Sequence, residues 1–284
     1  MVDNSLILSI VTFIYGLAGV LYLISWIFRK EMPGRLATRI SWVALAGNTI
    51  GILLRWVQSY RMGSEYGHAP FSNMYESLVF FAWTIGVIYI VVERRYKTRT
   101  LGAIAAPLAC LALAYASLEP SSAIEPLIPA LKSNWLIAHV ITCFLGYAAF
   151  AVAFAVSILY LVKSKEELKA EGGGLIHIPP SELLDELTHQ LVMFGFLFLT
   201  VGIITGAVWA KQAWTRYWSW DPKETWSLIT WLIYAALLHF RMMRGWRGRR
   251  IAILSILGFL AVLFTYFGVN YFLSGLHSYG AFSQ

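Results

Sequence analysis

The sequence predicts an all-α integral membrane protein, a polytopic bundle of about eight transmembrane helices with an extracytoplasmic tryptophan-rich loop. Three observations predict this fold class. Of the 284 residues, 58% are hydrophobic and 13% are charged, about half the charged share of ordinary soluble domains. Apolar runs of about 20 residues, long enough to cross a bilayer core, are separated by polar clusters. Half of the tryptophans lie together in one short segment.

Each apolar run is interpreted as one spanning helix. The eight runs comprise residues 6–28, 40–57, 74–92, 101–118, 135–162, 191–210, 225–243 and 251–273. The first is expected to remain as a helix, because no basic segment precedes it and it is too long for the core of a signal peptide. Segment 163–190 is expected to be a flexible link followed by a short amphipathic helix that starts after two prolines. No internal repeat is visible, so residues 1–284 are predicted to form a single membrane domain.

The position of the basic residues predicts the orientation. Placing the loops alternately on two sides gives one side sixteen basic residues: Arg29, Lys30, Arg35, Arg39, Arg94, Arg95, Lys97, Arg99, Lys163, Lys165, Lys169, Arg241, Arg244, Arg247, Arg249 and Arg250. The opposite side has five: Arg61, Lys132, Lys211, Arg216 and Lys223. Because basic residues collect on the cytoplasmic side, both termini and the tryptophan-rich loop are predicted to be extracytoplasmic. The net charge of +7 is therefore an orientation signal, and no nucleic-acid partner is predicted.

The two cysteines, Cys110 and Cys143, both lie in predicted helices and are far apart in sequence. The chain therefore has no C-x-x-C redox motif and no C-x-x-C-H haem-attachment motif of its own. Thioredoxin-like chemistry is excluded.

The tryptophan-rich segment, residues 209–231, contains six of the twelve tryptophans: Trp209, Trp214, Trp218, Trp220, Trp226 and Trp231. An aromatic belt at the membrane interface is the alternative explanation, but a belt does not explain why charges of both signs alternate with the rings. Indole faces can stack on a porphyrin, and Arg216 and Lys223 can neutralise its propionates. Asp221 and Glu224 are predicted to cap the helix that begins near Pro222.

Histidine is the usual axial ligand of haem iron, so the histidines were compared with this segment. His139, near the outer end of the fifth span, and His277, after the eighth, lie at its depth. A hydrogen-bonded interfacial histidine is the alternative for each. His239 lies toward the cytoplasmic end of the seventh span, where an ionisable group is a functional candidate; a neutral imidazole bonded to a neighbouring helix is its alternative. No separate catalytic residue is assigned. His139 and His277 are the candidate iron ligands, and the candidate haem b contacts are Trp209, Trp214, Arg216, Tyr217, Trp218, Trp220, Asp221, Lys223 and Trp226.

Other polar residues are assigned structural roles. His68 lies on the outer side and competes as a ligand, although a turn between a glycine and a proline is its expected role. Glu76, in the first turn of the third span, is expected to pair with Arg55 or Arg61. The remaining two histidines are expected to be solvated or interfacial: His177 and His189.

The run Trp-Ser-Trp-Asp-Pro-Lys-Glu-Thr-Trp at 218–226 closely resembles the signature of the CcsA/ResC family of cytochrome c biogenesis proteins, which are haem handlers with a so-called WWD domain. Segments 69–77, 195–210 and 276–279 are similar to that family's as well. Proteins of the CcmC and CcmF kinds share the Trp-x-Trp-Asp core, whereas the Lys-Glu-Thr-Trp continuation and the eight spans look more like CcsA. Thr215 departs from the family, which commonly has glycine there, so the local turn is expected to differ.

The resemblance implies that His139 and His277 ligate haem beside the tryptophan-rich segment, and that His239 corresponds to the family's membrane-embedded histidine. The second ligand at His239 would come from a membrane partner of the CcsB/ResB type. The substrate would be an apocytochrome c with a C-x-x-C-H segment, and the chain a subunit of a System II cytochrome c synthase. Its location would be a bacterial cytoplasmic membrane or a thylakoid membrane.

The resulting hypothesis is that haem enters near His239, moves outward, and is held with His139 and His277 on its two faces until the substrate histidine displaces one of them. Positioning is the expected catalytic contribution. One alternative is a haem exporter or scaffold without attachment activity. Another is an ion or solute transporter that uses His239 and Glu76, which leaves the clustered tryptophans unexplained.

Overall fold

The computed structural model describes residues 4–118, 123–169 and 178–273. In order, the elements are α1 Asn4–Phe28, α2 Glu31–Met62, α3 Met74–Tyr96, α4 Gly102–Leu118, a 3-10 turn Pro129–Leu131, α5 Asn134–Lys169, α6 Ser181–Trp214, α7 Pro222–Arg244, α8 Arg249–Leu263, a π-turn Phe264–Gly268 and α9 Val269–Phe272. Within these residues, seven helical segments are long and apolar enough to cross a membrane, and α4 is a shorter apolar helix. The predicted all-helical, multi-pass fold is confirmed.

Each predicted span coincides with a helix, but several helices extend beyond their apolar run. The clearest difference is α6, which is one continuous helix from Ser181 to Trp214. The predicted helix start after the two prolines is confirmed, but this helix is not a short separate one, because it continues into the span. The predicted flexible link does not begin at Lys163, because α5 extends to Lys169. No glycine or proline interrupts residues 181–191, so the polar first turns continue directly into the apolar ones.

The chain forms two compact units. The first comprises the described residues of Met1–Ile128 and Lys165–Pro180, and the second those of Pro129–Ser164 and Ser181–Gln284. The first unit contains α1 to α4, and the second contains most of α5 together with α6 to α9. The single membrane domain expected over residues 1–284 stays a prediction.

In the first unit, α3 is the most buried helix. It packs against α2 and α4, while α1 packs against the same two helices. The helix begins where the side chain of Asn73 accepts a hydrogen bond from Glu76 N at 2.9 Å, which satisfies one of the backbone donors that a helix start leaves unpaired. Leu78 and Ala82 on the following turns are fully buried.

A buried ion pair joins α2 to the start of α3. Arg55 Nε lies 2.8 Å from Glu76 Oε1, so one of the two partners expected for Glu76 is present. The other carboxylate oxygen accepts hydrogen bonds from Ser72 N and Ser72 Oγ, each at 2.7 Å. His68 donates from Nδ1 to Tyr66 O at 2.7 Å, and its Nε2 lies 3.1 Å from Ser72 Oγ. Both ring nitrogens of His68 are thus bonded within the loop, as its turn role requires.

A second buried carboxylate, Glu93, lies near the other end of α3. It accepts hydrogen bonds from Tyr22 Oη at 2.7 Å, from Thr38 Oγ1 at 2.5 Å and from the Tyr89 hydroxyl. Arg99 Nε lies 3.8 Å away. Because Tyr22 belongs to α1 and Thr38 to α2, this one carboxylate joins three helices.

In the second unit, glycines on α6 allow α5 to approach closely. Each faces a larger side chain of α5: Gly195 faces Phe150, Gly202 faces Cys143 and Gly206 faces His139. A Cβ at any of these glycines would lie 2.5–2.6 Å from a side-chain atom of α5. Small residues of this kind are the usual means of close helix packing in membranes. They fix which α5 side chains lie against α6.

Helix α7 is joined to its neighbours by aromatic contacts and hydrogen bonds. Tyr234 stacks on Phe150 of α5 with ring centroids 3.5 Å apart. Trp231 Nε1 donates to Thr200 Oγ1 of α6 at 2.8 Å. These two contacts lie in the middle turns of α7 and fix its orientation relative to α5 and α6.

A polar cluster joins the start of α6 to the end of α7. Arg241 Nη1 donates to Asp185 Oδ2 at 2.6 Å. The other oxygen of Asp185 accepts a hydrogen bond from Gly248 N at 2.7 Å, in the turn between α7 and α8. The carboxylate of Asp185 therefore joins α6 to α7 and to the turn before α8 at this end of the second unit.

Candidate functional site

His139 lies in the second turn of α5 and is held against α6. Its Nδ1 lies 2.7 Å from the carbonyl oxygen of Gly202. Its ring stacks on Trp209 with centroids 6.0 Å apart and planes 19° apart. Gly206 provides the space, because a Cβ there would lie 2.6 Å from Nδ1. The position of the imidazole is therefore set by the carbonyl oxygen of Gly202, the indole face of Trp209 and the missing side chain at Gly206.

The bond to Gly202 determines the tautomer of His139. A carbonyl oxygen only accepts, so Nδ1 has the hydrogen, and in the neutral ring that metal binding requires the lone pair would lie on Nε2. Metal-binding histidines are commonly oriented in this way, with the second ring nitrogen donating to a carbonyl or carboxylate. A porphyrin supplies four nitrogens to its iron, so the protein needs to add only one or two ligands. The donor chemistry of His139 fits haem iron.

The tryptophan-rich segment consists of the end of α6, an irregular loop at 215–221 and the first half of α7. Trp209 is buried and meets Trp214 edge-on at 4.9 Å between centroids. In the loop, Tyr217 and Trp220 are 59% and 69% exposed, and Trp218 meets Trp220 edge-on at 5.7 Å. Exposed aromatic rings of this kind can receive a flat apolar ligand.

The last two tryptophans of the segment contact neighbouring helices. Trp226 lies against Phe264 of the π-turn, with centroids 4.1 Å apart, and Trp231 is bonded to α6 as described above. Both contacts belong to the helix packing of the second unit. The predicted role of Trp226 in haem binding stays a prediction.

Two residues of the loop have left-handed backbone conformations. Thr215 has φ 63° and Trp220 has φ 59°. Residues with a side chain rarely adopt this region, and β-branched ones are the least suited to it. Glycine would be unstrained at Thr215, so the threonine stores strain in this turn. Lys211 Nζ donates to Thr215 O at 2.9 Å and helps to hold the turn.

The predicted cap of α7 is confirmed. The side chain of Asp221 accepts a hydrogen bond from Lys223 N at 3.1 Å, and Glu224 Oε2 accepts one from Asp221 N at 3.2 Å. The same Glu224 oxygen accepts from Ser219 N at 2.8 Å. The Asp221 side chain also accepts from the backbone of Glu224, so the two residues form a capping box, with proline at the start of the helix. It fixes the loop to the helix start.

The two cations expected to neutralise propionates lie in different surroundings. Arg216 is exposed on the loop. Lys223 instead points into the unit, where its Nζ donates to Asn270 Oδ1 of α9 at 3.1 Å.

His239 is far from the loop. Seventeen residues separate it from Pro222, which is about 26 Å along a helix. Its side chain is exposed, whereas the buried residues of α7 are Thr230, Tyr234 and Leu237. Positions two residues apart point in nearly opposite directions on a helix, so His239 faces away from the buried stripe. His277, the other predicted ligand, lies outside the described residues.

Several residues around His139 and Lys223 were not predicted. Cys143 follows His139 by one helical turn, and its Sγ lies 3.6 Å from Nδ1. Gly202 and Gly206 have the same one-turn spacing on α6, so both pairs left a signal in the sequence. Asn270 left none, because the π-turn before it changes the helical phase.

The chain is similar to known proteins of one family. A family model described as "Cytochrome C assembly protein" matches residues 71–277. The cytochrome c biogenesis protein CcsA of Prochlorococcus marinus is 41% identical over 260 residues, which cover 82% of this chain and 80% of that protein. The CcsA proteins of Gloeobacter violaceus and Pyropia yezoensis are 40% and 38% identical, over 93% and 96% of this chain and 92% and 97% of their own length.

A solved structure, that of the cytochrome c heme lyase CcmF, has a similar fold. The TM-score is 0.73 at 17% sequence identity. The match covers 94% of this chain, and the chain spans 47% of the length of CcmF.

Proposed function

Because this chain belongs to the cytochrome c assembly family, we propose that it holds haem b at its extracytoplasmic face for covalent attachment to apocytochrome c. The chain is a multi-pass membrane protein of the cytochrome c biogenesis family. The observation that supports it most is the placement of His139, whose Nδ1 is bonded to Gly202 O and whose ring stacks on Trp209 of the tryptophan-rich segment.

The residues of the site bind and orient the substrate. His139 would supply one axial ligand from α5, and the exposed rings of Tyr217 and Trp220 would contact the porphyrin face. Arg216 would neutralise a propionate at the surface. His277 is proposed as the opposite axial ligand, as expected from the sequence.

Attachment is an addition reaction. Each cysteine S–H of the C-x-x-C-H segment adds across one vinyl group of haem, so that one C–S bond and one C–H bond form without net electron transfer. The contribution of the protein would be position, because a fixed imidazole and a capped loop hold one edge of the porphyrin toward the incoming thiols. The apocytochrome histidine would then replace one of the two axial ligands.

His239 supports a partner at a second position. Because it is exposed and faces away from the buried residues of α7, a helix of another chain can reach it without rearranging the second unit. A histidine from a CcsB/ResB-type partner would complete an iron site there. Such a site near the opposite end of α7 would receive haem before it reaches the loop.

The structure weakens the transporter alternative. A transporter of this kind would need Glu76 as an accessible site within the membrane. Glu76 is instead buried, paired with Arg55, and accepts two hydrogen bonds from Ser72. A haem exporter or scaffold remains as the alternative that differs only in the attachment step. Formation of holocytochrome c separates the two.

The test uses the full chain, expressed with a CcsB-type partner and purified in detergent. Reduced-minus-oxidised spectra would be recorded for the native chain, His139→Ala, His277→Ala and His239→Ala, with His189→Ala as a matched control at the opposite end of the second unit. The expected result is a low-spin, six-coordinate haem that either outer substitution disrupts and His189→Ala preserves. Absence of haem from all samples contradicts the proposal, and haem binding without holocytochrome c in cells favours the scaffold.

A further inference from the structure

His68 is held in the loop before α3 by hydrogen bonds at its backbone and at its ring. Its backbone N–H donates to the hydroxyl of Ser59 on α2 at 3.2 Å, and that hydroxyl lies 3.0 Å from His68 O. Its Nδ1 lies 2.7 Å from Tyr66 O, and its Nε2 lies 3.1 Å from Ser72 Oγ. The side chain is 4% exposed, so both ring nitrogens depend on these protein groups as partners.

The hydrogen-bond directions in this loop require one proton more than a neutral imidazole and an ionised carboxylate supply. A carbonyl oxygen only accepts, so Nδ1 of His68 donates to Tyr66 O. The Ser72 hydroxyl has one hydrogen, and it donates to Glu76 Oε2 at 2.7 Å. Nε2 of His68 can then bond to Ser72 Oγ only as a donor. Both ring nitrogens therefore bear a hydrogen, which makes the side chain an imidazolium.

The surroundings of Glu76 favour this proton on the histidine rather than on the carboxyl group. The same chain of hydrogen bonds would run in reverse if Glu76 were the acid and donated to Ser72 Oγ. However, Glu76 Oε1 accepts from Arg55 Nε at 2.8 Å, and Oε2 accepts from Ser72 N at 2.7 Å. Both bonds favour the ionised carboxylate. His68 Nε2 also lies 3.8 Å from Glu76 Oε1, so the imidazolium is attracted by the same negative charge.

The other charged groups near this loop do not oppose the imidazolium strongly. Arg55 Nη2 donates to Ala123 O at 3.1 Å, and the guanidinium carbon lies 4.9 Å from the ring centroid of Tyr75. These contacts stabilise the arginine charge beside a second cation. The remaining titratable side chains on the loop, on the adjoining turns of α2 and α3 and on segment 123–128 are Tyr60, Arg61, Glu65, Tyr66, Tyr75 and Glu125. The three charged ones among them are exposed, where water and salt screen them.

We infer that His68, Ser72 and Glu76 hold one shared proton and form a pH-sensitive latch between residues 63–73 and the start of α3. When the pH rises and Nε2 loses its hydrogen, Ser72 Oγ has two acceptors for one hydrogen. One buried acceptor then loses its partner, which is costly. A group that is protonated in the folded chain stabilises the fold at low pH, and this stability is lost as the pH rises. The latch lies in the first unit and does not depend on haem.

The protonation state is measured by nitrogen-15 NMR of the full chain in detergent, with labelled histidine. The chain has six histidines, so the signal of His68 is isolated as the difference between the native chain and His68→Gln. At about pH 7.5, where an ordinary histidine is mostly neutral, this difference is expected to show two protonated ring nitrogens. His189→Gln, in the second unit, is the matched control and is expected to keep that signal. A neutral imidazole in the difference spectrum overturns the inference.

The latch itself is tested by thermal unfolding across the range in which histidines titrate, between about pH 5 and 8. The unfolding midpoint of the native chain is expected to fall by roughly 2–4 °C as the pH rises, the effect of about one lost hydrogen bond. His68→Gln is expected to lack this decrease, because an amide does not titrate, and His189→Gln is expected to keep it. An equal decrease in the native chain and His68→Gln overturns the latch.

A second variant keeps the inference testable if His68→Gln does not fold. Ser72→Ala removes the hydroxyl that joins the imidazolium to the carboxylate of Glu76. The doubly protonated histidine signal of the native chain is then expected to lose its proton at a lower pH. An unchanged NMR titration in Ser72→Ala overturns the inference, as does a native chain without any doubly protonated histidine at about pH 7.5.

Discussion

Gly206 lies against the imidazole of His139, so that a Cβ at this position would be 2.6 Å from Nδ1 and 2.8 Å from Cε1. The ring occupies the space of the absent side chain. A substitution at Gly206 on α6 can therefore displace the imidazole of His139 on α5 while the histidine itself is unchanged.

Gly206→Ala is expected to abolish or strongly reduce haem binding while the protein remains folded. The methyl group displaces the imidazole, whereas alanine favours the helix by up to about 1 kcal/mol over glycine. Haem content per purified chain and the thermal unfolding midpoint would be measured together. Gly16→Ala is the control, because the nearest atom to its Cβ would be at an ordinary 3.4 Å. Full haem content in Gly206→Ala would show that the position of the ring is not important.

Thr215→Gly is expected to stabilise the protein by roughly 1 kcal/mol. The backbone of Thr215 has φ 63°, and relief of left-handed strain at a β-branched residue outweighs the added freedom of glycine in the unfolded chain. Unfolding in a denaturing detergent series would measure the change. Thr225→Gly, in the first turn of α7, is the opposite control and is expected to destabilise. A loss of stability in Thr215→Gly would contradict the strain at this turn.

Removing one member of the Arg55–Glu76 pair is expected to destabilise the first unit by about 3–5 kcal/mol, because the remaining charge is buried without its partner. The two side chains are 4% and 1% exposed. The double variant Arg55→Met, Glu76→Leu is expected to recover most of the loss. Unfolding midpoints of the singles and the double form the measurement.

The control for this pair is Glu186→Gln. Glu186 is half exposed, 3.5 Å from Arg241, and such surface pairs contribute about 0–1 kcal/mol. An equal loss of unfolding free energy in the Glu76 and Glu186 variants would mean that burial does not determine how strongly the Arg55–Glu76 pair stabilises the protein.

Asp221→Ala is expected to destabilise the start of α7 by about 1 kcal/mol and to lower haem affinity, because the loop loses its attachment to the helix. Asp221→Asn keeps an accepting oxygen and is expected to keep both properties. Haem titration and unfolding of the two variants distinguish a capping role from a charge role. A loss in Asp221→Asn as large as in Asp221→Ala would favour direct contact with the ligand by the carboxylate.

Features encoded by neighbouring residues could be predicted from the sequence. The spans follow from the length of apolar runs, and the cap at Asp221 and Glu224 follows from residue types three apart. For Glu76 the sequence left two arginines of α2 as partners, because the choice depends on which one faces α3. The start of α6 after two prolines was predicted, but its continuity with the apolar span was not, because polar first turns look the same whether or not a helix continues.

Features that depend on long-range packing could not be predicted. The donors to Glu93 come from Tyr22 and Thr38 on two other helices, and no local pattern joins them to α3. The direction of the Lys223 side chain depends on a π-turn more than forty residues later in the chain. The environment of His139 could be predicted only in part. Cys143 follows His139 by one helical turn in the sequence, but the role of the α6 glycines becomes apparent only when α5 is packed against them.

The carboxylate of Asp185 also imposes an order on biosynthesis. Its partner Arg241 lies 56 residues later in the chain, which takes about 3–11 s to translate at ordinary ribosome speeds. During that interval α6 has been made, but Arg241, which pairs with Asp185 in the folded protein, has not. The two hydrogen bonds of Asp185, to Arg241 and to the turn before α8, can therefore form only after α7 and that turn have been synthesised.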